Sequence, residues 1–174
     1  MTSQIFRTRL TRSISRLIGW FFGTFWALLG AFALPRPYVR TGCALAFIVA
    51  LIFLVRLWRY EPPTPAARPL FRTSAYVIAV FAELLGMYMA ALLLPRFGAQ
   101  QQVYSAIGCI VGLHFIGLWV ATRSQRFLHI TAGMCFVSLL SMILPFTWHT
   151  IGLRYLLLGG ANAIVLWVAA SGTD

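Results

Sequence analysis

Six runs of about twenty apolar residues fill positions 17–34, 41–58, 73–94, 103–122, 128–147 and 151–171, and little chain is left between them. A helix rises about 1.5 Å per residue, so each run has the length that crosses a hydrocarbon core of about 30 Å. Hydrophobic residues make up 60% of the chain, charged residues 10%, and the mean hydropathy is +0.84. That composition leaves too few polar side chains to cover a water-soluble surface. The expected fold is an all-α membrane protein of six transmembrane helices, with residues 1–174 as a single transmembrane domain.

Every one of the 14 basic residues is arginine. Arg7, Arg9, Arg12, Arg16, Arg56, Arg59, Arg68, Arg72, Arg123 and Arg126 fall on the N-terminal side of a six-span topology, and Arg36, Arg40, Arg96 and Arg154 on the other. Positive charge near helix ends is retained in the cytoplasm, so this asymmetry predicts both termini inside. The net charge of +11 then points to anionic lipid headgroups as a partner and away from nucleic acid, which needs a basic face on a soluble fold.

Two connecting segments stand out. Residues 1–16 combine arginine and serine with Ile5, Phe6, Leu10 and Ile14 near helical spacing, the pattern of a basic amphipathic helix at the inner interface. A transit peptide shares that composition, and Ala31-Phe32-Ala33 also fits a signal-peptide cleavage site. Residues 59–72, RYEPPTPAARPLFR, hold four prolines and read as a semi-rigid cytoplasmic loop. It serves as a linker between hairpins or as a docking surface for an unknown protein partner.

A repeat argues against cleavage. The first, third and fifth runs end in ALPR (33–36), LLPR (93–96) and ILPF (143–146), and the second, fourth and sixth carry Leu57-Trp58, Leu118-Trp119 and Leu166-Trp167. From proline to tryptophan the spacing is 23, 24 and 22 residues. This regularity suggests three helical hairpins of one pattern, with 17–34 a full member. Proline at helix ends and tryptophan at headgroup level would also arise without any repeat. Mitochondrial carriers share prolines on odd helices, but the acid that follows each of those prolines is missing here.

Small residues let membrane helices approach closely. Gly19 with Gly23 and Gly108 with Gly112 form GxxxG pairs, and Ala79, Gly86 and Ala90 share a face with Glu83. All are expected at helix contacts.

Polar side chains within such runs are the candidates for function, because burying them in lipid is costly. Glu83 lies twelve residues before Pro95, His114 five before Trp119, and Asn162 five before Trp167. Each therefore sits about 11 residues, or roughly 16 Å, from the outer boundary, which places all three near the midplane. A midplane carboxylate carries an insertion penalty of roughly 3 kcal/mol, so Glu83 needs a partner or a proton. Histidine, with an unperturbed pKa of about 6.5, can share or relay that proton, and Asn162 can hydrogen-bond either group. The same trio would serve equally as a polar clasp between helices.

Cys43, Cys109 and Cys135 are dispersed without a CxxC and read as small buried apolar residues. His114, His129 and His149 belong at different depths, so no metal site and no haem or other cofactor is expected. Phosphate loops, GxSxG elbows and HExxH zinc motifs do not occur.

The stretch Gly112-Leu113-His114-Phe115, followed by Gly117 and Trp119, resembles small polytopic bacterial membrane proteins with a Gly-x-His-Phe motif in a late helix and no assigned activity. The resemblance covers about 40 residues of helices four and five. It implies a six-helix protein of a bacterial inner membrane and brings no substrate with it. The expected function is a small transporter or channel-like module around Glu83, His114 and Asn162, as a homo-oligomer if a pore is needed. The alternative is a non-catalytic accessory or scaffold subunit.

Overall fold

The computed structural model describes the backbone of residues 2–59, 73–144 and 151–171, and the side chains of 16–59, 73–144 and 152–171. Its elements are helices α1 (Thr2–Phe32), α2 (Arg36–Arg59), α3 (Ser74–Arg96), α4 (Val103–Thr122), α5 (Arg126–Ile143) and α6 (Ile151–Ser171), with one turn of 3₁₀ helix at Gln100–Gln102 before α4. No strand occurs among the described residues.

Local chemistry sets the helix ends. Thr73 caps α3, its Oγ1 accepting the Tyr76 N–H at 3.3 Å. Gly98, at φ +72°, turns the chain out of α3. Arg123 ends α4 in the left-handed conformation (φ 60°), its N–H donating to the Trp119 carbonyl, with the guanidinium 5.5 Å from the Trp119 ring centroid. Leu144 is extended (ψ 133°), the conformation favoured before proline, and α5 stops at Ile143.

Three boundaries differ from those expected. α1 is unbroken from Thr2 to Phe32, so residues 2–16 are helical and continuous with the first apolar run. α2 starts at Arg36, because Pro37 in a first turn costs no hydrogen bond. The expected fifth run extended to 147, but 145–150 lie outside the described residues, as does the Pro-rich loop over 60–72. Five helices, α2 to α6, are long and apolar enough to cross a membrane, whereas the apolar part of α1 spans only Arg16–Phe32.

The helices pack in the order α2, α1, α6, α5, α4, α3, and α6 also touches α2 and α4. The most extensive pairs are α1 with α6 and α4 with α5. Packing between hairpins, the first with the third and the second with the third, thus matters as much as packing within them. The central position of α6 explains its burial, while the outermost α3 has no buried residue and turns Ile78, Phe81, Leu84 and Tyr88 outward. In water such a face would aggregate; in lipid it is already solvated.

The core runs through Trp26, Leu118, Met134, Leu158, Ala163 and Trp167. Of the three repeated tryptophans, Trp58 is 81% exposed but Trp167 only 3%. Trp167 stacks on Phe53 (centroids 5.4 Å apart) and donates its Nε1–H to the Trp20 carbonyl at 3.1 Å. Trp20 donates in turn to the Ala50 carbonyl of α2 at 2.7 Å. Interfacial placement fails for Trp167 because α1 and α2 cover the end of α6 that carries it.

Candidate functional site

Glu83 and His114 come together where α3 crosses α4. His114 Nδ1 lies 3.1 Å from Glu83 Oε2, with the side chains 10% and 18% exposed respectively. The two atoms are close, but His114 Nδ1 makes no hydrogen bond among the described residues. Small residues on both sides hold the crossing. Towards one end, Gly117 sits directly against Ala79; towards the other, a Cβ on Gly86 would stand 3.1 Å from Ile110. The ring of Tyr76 meets His114 edge-on at 6.4 Å, and that of Phe115 at 5.5 Å. The pair is therefore positioned by backbone contact and aromatic packing.

Asn162 belongs elsewhere. It is fully buried on α6, over the Gly108 face of α4, and neither its Oδ1 nor its Nδ2 has a protein hydrogen-bond partner among the described residues. Ser138 of α5 approaches the same glycine, and its hydroxyl is likewise buried and unpartnered. The expected trio thus resolves into a Glu83–His114 pair and a separate Asn162–Ser138 patch. Gly108 and His114 are six residues, or about 9 Å, apart along α4, so Asn162 departs from the pair in level as well as in the direction its helix faces.

One turn from that patch lies a polar cluster that sequence reasoning missed. Arg154, 2% exposed, donates from Nε to Ser141 Oγ at 3.1 Å and from Nη2 to both Gln102 Oε1 and Ser105 Oγ, the last at 3.4 Å. Ser105 and Ser141 also bond each other at 3.1 Å. Arginine is the cation suited to such burial, since its fork of donors can be spread over several oxygens. The sequence signal was an arginine inside the sixth apolar run together with Ser138 and Ser141, three apart on one helix face.

Beside this cluster, α1, α4 and α6 bound a cleft of about 320 Å³. Trp26, Leu158 and Gly159 line it together with Tyr104, Tyr155 and Phe32. Gly159 and Gly30 bring the backbones of α6 and α1 into contact there. Tyr155 donates its hydroxyl to the Gln101 carbonyl at 3.2 Å.

No protein-family model, curated protein or solved structure matches the chain. Among the described residues, no three potential ligand side chains cluster as a metal site would require. The five packing glycines face neighbouring helices. A Cβ on Gly19 would stand 3.3 Å from Ala170 and one on Gly23 3.2 Å from the Ala163 carbonyl; Gly86 faces Ile110, and Gly108 and Gly112 face α5. Cys109 and Cys135, dispersed in sequence, meet across α4 and α5: Cys135 donates from Sγ to the Cys109 carbonyl at 3.6 Å. His149 lies outside the described residues.

Proposed function

We propose that this chain is a small transport module of a bacterial inner membrane, in which Glu83 and His114 exchange a proton near the midplane. In this reading six helices cross the bilayer, both termini are cytoplasmic, and arginines contact anionic headgroups. The observation that carries it is the 3.1 Å separation of a carboxylate and an imidazole inside apolar helices. A carboxylate oxygen and a ring nitrogen at that distance can share one proton and pass it on without covalent chemistry. Because the pair is not locked in a straight hydrogen bond, either group can turn to a new donor or acceptor. Its place at the outermost helix pair, away from the core, favours a homo-oligomer in which α3 faces another subunit.

A second reading rests on a different observation. Contacts at Gly117–Ala79 and Gly86–Ile110 bracket the pair, so it also has the geometry of a polar clasp. An accessory or scaffold subunit would need nothing more.

Proteoliposomes loaded with a pH-sensitive dye separate the two. Transport requires proton flux with the native chain that Glu83→Gln and His114→Ala each abolish, while the yield of folded protein stays near normal. Absence of flux, together with parallel loss of thermal stability in both variants, would leave the clasp.

A further inference from the structure

Three cysteines occur in the chain, and two of them face each other. Cys109 of α4 and Cys135 of α5 are both free and partly buried. Cys135 donates to the Cys109 carbonyl at 3.6 Å, so its thiol reaches Cys109 across the helix pair. The close approach has a cause. A Cβ on Gly112 would stand 3.0 Å from Cys135 Sγ, 3.1 Å from Met134 Cβ and 3.2 Å from the Cys135 backbone nitrogen. Gly108, one turn earlier, receives Ser138 in the same way. Glycines at both turns let α4 and α5 pack nearly backbone to backbone, which is what a disulfide demands: Cα atoms no more than about 7 Å apart.

We propose that Cys109 and Cys135 form an intramembrane redox dithiol, oxidised to a disulfide by a lipid-soluble quinone. Two S–H bonds break and one S–S bond forms. Two electrons and two protons pass to the quinone, which leaves as the hydroquinone. The class of oxidant follows from location. Both residues lie in the middle of apolar helices, where glutathione and other aqueous thiol reagents do not partition, whereas a quinone does. Cys43, on α2 at the far side of the bundle, takes no part and serves as an internal control.

The test uses the full chain, reduced and reconstituted in phospholipid vesicles, then exposed to decylubiquinone, whose fully substituted ring cannot add thiols. After denaturation, free thiols are alkylated with N-ethylmaleimide and counted by intact mass. The native chain is expected to take up one maleimide after quinone and three without it. Cys109→Ser and Cys135→Ser should each take up two under both conditions, and digestion should yield a peptide linking 109 to 135. Three maleimides on the quinone-treated native chain would overturn the proposal, as would a quinone-dependent loss of label that persists in either serine variant. Glutathione disulfide at the same concentration is expected to leave all three thiols free; equal oxidation by it would overturn the assignment of a membrane-borne oxidant.

Discussion

His114 Nδ1 and Glu83 Oε2 stand 3.1 Å apart between two points at which α3 and α4 touch through small side chains. The pair depends on those contacts, because α3 packs chiefly on α4 and has no buried residue of its own. Gly117→Val places methyl groups where Ala79 already sits. We expect α3 to be pushed off α4, with a loss of about 1–3 kcal/mol from overpacking. Thermal unfolding in detergent measures the cost. Unchanged stability would mean that α3 is not seated on α4 as described.

Asn162 gives the opposite expectation. Its amide is fully buried and bonds no protein group among the described residues, so it is a cost to folding that an apolar side chain of similar volume removes. Asn162→Leu should raise the unfolding temperature, by the equivalent of about 1–3 kcal/mol. A fall would show that the amide has a partner that matters.

The Arg154 cluster predicts strong coupling. Ser141→Ala removes an acceptor from a buried guanidinium and should cost about 1–3 kcal/mol. In an Arg154→Met background the charge is gone, and the same substitution should cost much less. A double-mutant cycle reads the difference directly; additive costs would mean that the serine does not hold the arginine.

Trp167→Phe keeps the stack on Phe53 but deletes the bond to the Trp20 carbonyl. The expected loss is about 1 kcal/mol for one buried hydrogen bond. Trp58→Phe, at a largely exposed position, should be neutral within about 0.5 kcal/mol. Equal effects at the two positions would contradict the difference in burial.

Helical class was legible in the sequence, and so was the shared level of Glu83 and His114, because both are one-dimensional. An apolar run of about twenty residues has one stable form in lipid, and a fixed rise per residue converts position into depth. That is why Glu83 and His114 could be set at one level from their distances to Pro95 and Trp119, and why glycines at spacing four could be expected to meet neighbours. Rotation and neighbour choice are set by packing. Asn162 was expected at the level of that pair but lies beside Gly108, about 9 Å along α4 from His114, and Trp167 matches the tryptophan pattern yet is buried because α6 lies at the centre. Arg154 looked like a charge at a helix end, although its fork reaches Gln102 in the 3₁₀ turn, Ser105 on α4 and Ser141 on α5. The sequence alone determined that this chain must be helical and apolar. Only the tertiary structure decided which polar groups meet, because a contact between helices depends on the direction each residue faces as well as on its depth.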